Sequence, residues 1–312
     1  MSELTKPTRS QSKIGRLWQQ MINNPVTTKE LRSRMRGRRA FIVLTVYLLL
    51  MGAFVSLIYL GFYVNSGTDV SSTRQAGQTI FITMLVVQGF LVVFIGPSFT
   101  AGAISGEKER QTYDLLRTTL LSPQAFVMGK LLSAMSYVFL LLFAAVPLIS
   151  LAFMLGGVAT SEVILSQLVL LVSGVTFAMM GLYFSSSMRT TMAASVTTYA
   201  SALFITIGTP IIAVIVASIM ASIIFTSGVP WFVEAGTVYL GLILVATNLP
   251  ATMIVSDMFL RSENTLWGFT EVVDTVNVWF FSPWYVFLIF YLLLTLFLYR
   301  RTVKKVAVIA NK

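Results

Sequence analysis

Side chains that could perform chemistry are few in this sequence, and two of the most versatile types are missing. The 312 residues contain neither histidine nor cysteine. Their absence excludes Ser–His and Cys–His nucleophilic catalysis, HExxH zinc sites, proximal-histidine haem and disulfides. An intramembrane aspartyl enzyme is not indicated either, because no G-x-G-D motif occurs and the neighbours Tyr113 and Asp114 belong to a polar loop. The sequence therefore predicts a protein that is not an enzyme.

A nucleotide-binding loop is also missing from the sequence. Gly129 and Lys130 resemble the end of a P-loop, but Leu131 follows them and the upstream glycine is absent. The backbone cradle for phosphates needs the whole G-x-x-x-x-G-K-[ST] pattern. We therefore expect no cofactor in this chain, and no metal site.

The composition is that of a membrane protein. Hydrophobic residues make up 56% of the chain, charged residues only 11%, and the mean hydropathy is +0.82. Soluble domains average about 25% charged residues. The net charge of +10 does not indicate nucleic-acid binding. The basic residues are concentrated in the segments between and beside the apolar intervals, as the positive-inside rule predicts for a membrane protein.

Intervals without Asp, Glu, Lys or Arg locate the membrane. Each is long enough for a helix of about 20 residues to cross a hydrocarbon layer of about 30 Å. Helices are expected because backbone polar groups must be paired inside lipid. The intervals are 40–68, 75–106, 131–161, 163–188, 190–233, 235–256 and 275–299.

The basic residues set the orientation. Of the 22 Lys and Arg residues, 20 lie in four segments: before the first interval, between the second and third, between the fourth and fifth, and after the last. The two exceptions are Arg74 and Arg261. The positive-inside rule then places both termini in the cytoplasm. Seven crossings would leave the basic C-terminus outside. Either interval 190–233 crosses twice or interval 235–256 does not cross, and we prefer the second solution because it keeps the acidic residues near 257–274 outside.

The predicted fold is therefore an all-α polytopic membrane protein. It has an N-terminal amphipathic segment (1–39), one transmembrane domain (40–300) and a basic tail (301–312). A re-entrant or extracytoplasmic helical segment precedes the last span. The six predicted spans are 40–64, 78–101, 131–156, 163–185, 193–217 and 281–299.

An apolar stripe in the N-terminal segment predicts an interfacial helix. Its members recur at i, i+3, i+4, i+7 and i+8, which is one face of a helix. Such a helix either anchors the protein to anionic headgroups or also forms part of a docking surface for a cytoplasmic partner. The residues are Ile14, Leu17, Trp18, Met21 and Ile22.

The loop 102–130 predicts a second cytoplasmic helix, over about 105–121. Ser105 could cap it, and acids in its first turn suit the helix dipole. Ser122 and Pro123 are typical of the cap and first position of the next helix. The apolar stripe of the loop helix either rests on the protein's own spans and lipid headgroups or docks on a partner.

The same loop resembles the signature segment of type 2 ABC exporter permeases. That family has a pattern close to I-S-x-E-K-E-x-x-T-x-x-x-L, followed by L-S-x and G-K, after its second span. The opening NPVTTKELRSRMRGRRAF resembles the N-P-x-x-x-K-E-L-R-x-R-x-R start of one bacterial branch. The matching loop residues are Ile104, Ser105, Glu107, Lys108, Glu109, Thr112, Leu116, Leu121, Ser122, Gly129 and Lys130.

The resemblance implies a permease with six spans, paired with a second permease in a homodimer or a heterodimer. Two cytoplasmic ABC ATPase subunits would bind ATP and Mg²⁺, and the 105–121 helix would be the coupling helix that docks on them. A re-entrant segment before the last span is also a family feature. The implied ATPase interface is Glu107, Lys108, Glu109, Arg110, Gln111, Thr112, Tyr113, Asp114, Leu116 and Leu120. The alternative function is a secondary transporter without an ATPase, although carriers of that kind more often have acids inside their spans.

A translocation path is expected between the second and fifth spans. Its polar candidates are Gln88, Thr197, Thr198 and Thr206. Such side chains also serve as hydrogen-bonding contacts between helices. The sequence does not identify a substrate.

Overall fold

The computed structural model describes residues 38–66, 70–112, 122–227, 230–262, 265–273 and 276–310. Within these residues six helices are long and apolar enough to cross a membrane, which confirms the predicted all-α polytopic class. The interfacial stripe predicted at residues 14–22 lies outside the described residues.

The helices follow the charge-free intervals closely. In chain order they are α1 (Arg38–Ser66), α2 (Val70–Thr100), α3 (Ser105–Glu109), α4 (Pro123–Met154), α5 (Thr160–Ser187), α6 (Thr191–Leu203), α7 (Thr209–Ser227), α8 (Trp231–Val245), α9 (Leu249–Ser262) and α10 (Pro283–Ala310). Helices α6 and α7 are continuous through a π-helical turn, Phe204–Gly208, and form one span together. We call the end of the bundle that carries Lys108, Lys130, Arg189 and Lys305 the basic end.

Helices α2 and α5 form the centre of the bundle. They approach closely because small residues face each other: a Cβ on Gly96 would lie 3.4 Å from the Gly174 carbonyl oxygen, and one on Gly181 would collide with Thr100 Oγ1. Small residues allow this kind of close helix packing in membranes. In contrast, the most apolar stretches of α1 and of the α6–α7 span are only 11% and 6% buried.

The π-helical turn lies immediately before Pro210, which is inside the span formed by α6 and α7. Proline has no N–H and its ring clashes with the carbonyl of residue i−4, here Thr206. The widened turn relieves that clash, since the Thr209 N–H bonds to the Phe204 carbonyl five residues back. Asn248 donates from its amide nitrogen to the freed carbonyl oxygens of Ile205 at 2.8 Å and Thr206 at 3.0 Å.

The predicted non-crossing interval forms two short helices, α8 and α9, of 15 and 14 residues. At 1.5 Å per residue each is about 22 Å long, less than a hydrocarbon layer of about 30 Å. The turn between them reaches the interior of the bundle, where Tyr291 donates to the Thr247 carbonyl at 3.1 Å. Asn248 also caps α9, because its Oδ1 accepts from the Ala251 N–H at 3.0 Å.

A β-hairpin that the sequence analysis did not predict joins α9 to α10. Strands β1 (Gly268–Val273) and β2 (Val276–Phe281) pair antiparallel, with Val273 opposite Val276. Phe280 and Val278 pack with Leu242 of α8 in a small apolar cluster of their own. The hairpin therefore covers the bundle at the end opposite to the basic end.

Candidate functional site at the basic end of the bundle

The segment with the signature pattern folds differently from the predicted continuous helix. Helix α3 ends at Glu109, and Gln111 has a positive φ of 56°. A non-glycine residue rarely adopts that left-handed conformation, which terminates a helix. The prediction of one helix over 105–121 is therefore wrong at this point, and residues 113–121 lie outside the described residues. The proposed cap is also wrong, because Ile104 occupies the N-cap position without a side-chain bond.

Residues 104–109, which we call the junction segment, are fixed first to the end of α5. The hydroxyl of Ser185 accepts from the backbone N–H groups of Ile104 at 2.9 Å and Ser105 at 3.0 Å. All three residues are fully buried. One hydroxyl thus satisfies two of the amides that have no partner within α3 itself.

A buried ion pair fixes the junction segment to α4. Lys130 Nζ lies 2.7 Å from Glu107 Oε1, and their side chains are 4% and 25% exposed. The ammonium group also lies 5.1 Å from the centroid of the Phe126 ring. Moving the loop away from α4 would separate the two charges and leave a buried charge uncompensated, which is unfavourable. The ion pair therefore holds the loop against α4.

Two further charged residues of the segment bind the last turn of α5 and the beginning of α6. Lys108 Nζ donates to the Ser186 carbonyl at 2.7 Å. The two carboxylate oxygens of Glu109 accept from the N–H of Thr191 at 2.9 Å and from its hydroxyl at 2.6 Å. A carboxylate at this position satisfies a free amide at the positive end of the helix dipole.

Helix α10 reaches the same end of the bundle and contacts α5 there. Lys305 Nζ donates to Ser187 Oγ at 2.5 Å and lies 4.3 Å from the centroid of the Tyr183 ring. The site therefore joins α3, α4, α5, α6 and α10 through polar contacts.

The implied ATPase interface thus divides into two parts. Glu107, Lys108 and Glu109 bind the chain itself, whereas Arg110, Gln111 and Thr112 are exposed at the tip of the turn. The remaining implied interface residues, which lie outside the described residues, are Tyr113, Asp114, Leu116 and Leu120. The residue types alone did not reveal that the two acids and the lysine of the pattern have partners within the chain.

The residues predicted to line a translocation path do not share one surface. Thr198 and Thr206 are buried and donate to the Ala194 and Ala202 carbonyls of their own helix, at 2.6 and 2.8 Å. Gln88 is 1% exposed and accepts from Gln167 Nε2 at 3.2 Å. Only Thr197 is half-buried. Of these contacts, only the one between Gln88 and Gln167 joins two helices, as the alternative reading expects, whereas the two buried threonines bond within their own span.

A second charged cluster lies at the opposite end, between α5 and α9. Arg261 Nε lies 2.8 Å from Asp257 Oδ2, and Arg261 Nη2 lies 3.5 Å from Glu162 Oε2. Burial raises the pKa of Asp257 above its usual range, although Arg261 opposes that rise. Sequence alone does not indicate the contact between Glu162 and Arg261, because these two residues are 99 positions apart in the chain.

No group of histidine, cysteine and acidic side chains within the described residues could hold a metal ion. No protein family model matches the chain, and no curated protein is significantly similar to it. Membership of the permease family is therefore a proposal that rests on the residues of the chain.

Proposed function

We propose that the chain is the membrane-spanning permease subunit of an ATP-driven ABC exporter in a bacterial cytoplasmic membrane, with both termini in the cytoplasm. The observation that carries the proposal is the junction segment, which is bonded to α4 through Lys130, to α5 through Ser185 and to α6 through Thr191. A force applied to the adjacent loop would reach three spans. A loop that only connected two spans would not need those contacts.

The energy source would be a separate chain. This sequence has no P-loop, so two ATPase subunits would bind ATP and Mg²⁺, and a second permease, identical or related, would complete the transporter. The exposed tip at Arg110 and the residues that follow it would dock on the ATPase. The docked loop would then transmit closure of the ATPase dimer to the junction segment.

The chemistry of the junction suits such a transmission. Each of its charged side chains has one defined partner, and both ends of the Glu107–Lys130 contact are largely shielded from water. Charge-assisted hydrogen bonds are roughly twice as strong as neutral ones. The segment should therefore move together with the helix ends rather than slide over them. Coupling of this kind needs two states with different contacts at both sites.

A secondary transporter without an ATPase is the second candidate. The cluster of Glu162, Asp257 and Arg261 favours it, since buried ionisable residues in membrane proteins often belong to ion or proton paths. The cluster lies at the end opposite to the junction segment, so the two proposals are tested by different residues.

The test is purification of the tagged protein from its native membrane in mild detergent. The proposal predicts a stoichiometric P-loop ATPase among the co-purifying chains, with vanadate-sensitive ATP hydrolysis. The double variant Tyr113→Ala/Leu116→Ala should lose this subunit. The matched control is Leu60→Ala/Tyr63→Ala, which removes the same residue types at the same spacing from the far end of α1, where both are 57% exposed. Absence of an ATPase in several detergents, or equal loss in both variants, would contradict the proposal.

A further inference from the structure

A wide apolar groove runs along the outside of the bundle between α4 and α10, with α5 as its floor. Its volume is about 790 Å³. Phe139, Leu292 and Leu296 on its rim are 56%, 54% and 44% exposed, so the groove opens sideways towards the surrounding lipid. No side chain of the described residues fills the groove.

The wall of the groove offers almost no polar group to a ligand. Three polar residues contribute to it: Ser136, Thr295 and Tyr299. Ser136 donates to the Ser133 carbonyl at 2.8 Å, and the hydroxyl of Thr295 is hydrogen-bonded to Thr176 at 2.8 Å. Tyr299 lies at the basic end, where the polar tip of a tyrosine commonly meets the headgroups. The groove therefore suits a hydrocarbon chain and not a hydrated solute.

The length of the groove matches one leaflet. Its lining on α4 extends from Met128 to Phe139, which is about 16 Å at 1.5 Å per residue. Half of a hydrocarbon core of about 30 Å is about 15 Å. An acyl chain from the leaflet at the basic end would therefore lie in the groove with its headgroup near the end of α10.

Basic residues at that end supply the complementary charge. Two of the four on α10 already have partners: Arg301 lies 5.2 Å from the centroid of the Phe297 ring, and Lys305 binds Ser187. Arg300 and Lys304 are exposed and form no ion pair with any described residue.

The position of Arg300 on the helix selects it as the headgroup contact. Arg300 follows the groove residue Leu296 by four positions, about 40° further round the helix, whereas Arg301 is displaced by about 140°. Lys304 lies one further turn along and about 80° round from Leu296, so Arg300 is the nearer of these two basic residues. We propose that the groove between α4 and α10 binds an anionic phospholipid, with an acyl chain along Leu292 and Leu296 and the phosphate at Arg300.

The test uses the full chain, purified in detergent and supplied with phosphatidylglycerol or phosphatidylcholine of identical acyl chains. Native mass spectrometry counts the retained lipid. The proposal predicts selective retention of phosphatidylglycerol. Arg300→Gln should weaken this retention about fivefold, because a basic residue near a lipid surface contributes about 1 kcal/mol. The matched control Arg301→Gln should leave it unchanged, since that residue has the same charge and stands on another side of α10.

A second pair of variants tests the groove. Leu296→Trp fills it and should abolish retention of the lipid, while Leu293→Trp, at a lipid-exposed leucine outside the groove, should not. Equal retention of the two lipids, or equal effects of the two arginine variants, would overturn the proposal. So would unchanged lipid retention in Leu296→Trp together with a smaller dimer fraction, because a second copy of the chain would then be the occupant.

Discussion

The two ends of the bundle use charge in different ways. At the basic end each charged side chain of the junction segment has its own partner, as in the pair Glu107–Lys130 and the contact of Glu109 with Thr191. At the opposite end Glu162 and Asp257 share the single guanidinium of Arg261. The first arrangement fixes the segment to several helices through separate contacts. The second makes two carboxylates depend on one cation, so a change at Arg261 affects both of them.

The largest effect is expected from breaking the pair at the basic end. Lys130→Met leaves Glu107 three-quarters buried without its counter-charge. The free energy of unfolding should fall by about 3 kcal/mol, the low end of the range for broken buried pairs. Thermal unfolding in detergent measures this loss. The double variant Lys130→Met/Glu107→Gln should recover part of it, and a double variant as unstable as Lys130→Met would show that the ion pair is not the cause.

The next effect concerns the anchor of the α8–α9 turn. Asn248→Ala removes the donor that satisfies the Thr206 carbonyl, to which Pro210 cannot donate. A buried carbonyl without a partner costs about 1–3 kcal/mol, so we expect a loss of about 2 kcal/mol. Asn277→Ala, at an exposed position of β2, is the control. Equal unfolding temperatures for the two variants would contradict the role given to Asn248.

A smaller effect is expected at the charged cluster of the opposite end. Arg261→Gln removes the shared guanidinium, which is 22% exposed and 3.5 Å from Glu162. The long Arg261–Glu162 contact should limit the loss to about 1 kcal/mol, which is less than for a short buried pair. Burial raises the pKa of Asp257 and Arg261 opposes that rise, so loss of the arginine should raise this pKa further and favour the neutral carboxyl. Adding Asp257→Asn should then change the unfolding temperature little, and a large further loss would contradict a shared-guanidinium cluster.

The smallest effect on stability, and the most specific one on coupling, is expected from Glu109→Gln. The side chain is exposed and its amide replacement can still bond to Thr191, but without a charge at the helix end. We expect normal membrane insertion and weaker coupling of ATP hydrolysis to transport. Leu116→Ala should have the same effect, measured by vanadate-sensitive hydrolysis in reconstituted complexes. Glu271→Gln, at an exposed acid of β1, should leave coupling intact. Unchanged coupling in both test variants would remove the junction segment from its proposed role.

The architecture could be predicted because every helix that crosses lipid must be apolar along its length, and this requirement is visible in the sequence. The contacts between helices are not restricted in the same way. Charge-free intervals located the six helices long enough to span a membrane, and interval 235–256, which the parity of basic segments assigned as non-crossing, forms two helices shorter than a span. Ser122 and Pro123 were also predicted correctly, as the side-chain cap and first residue of α4.

The local geometry of the site was beyond prediction from composition or periodicity. The end of α3 depends on a left-handed Gln111, a conformation for which glutamine gives no signal. The partners of Glu107 and Glu109 are 23 and 82 residues away. The hairpin was missed although residues 276–281 are rich in valine and aromatic side chains, because an apolar run of that length does not distinguish a strand from a helix start.

The most direct test of the central claim measures whether the junction segment moves α6. The chain contains no cysteine, so spin labels can be placed at Phe41→Cys and Met192→Cys, which are 72% and 78% exposed at the basic end of α1 and α6. In complex with the ATPase, trapping with ATP and vanadate should shift the distance between the labels. Adding Glu109→Gln should reduce that shift while the ATPase stays bound. An equal distance shift in the labelled protein and in its Glu109→Gln variant would contradict transmission through the junction segment.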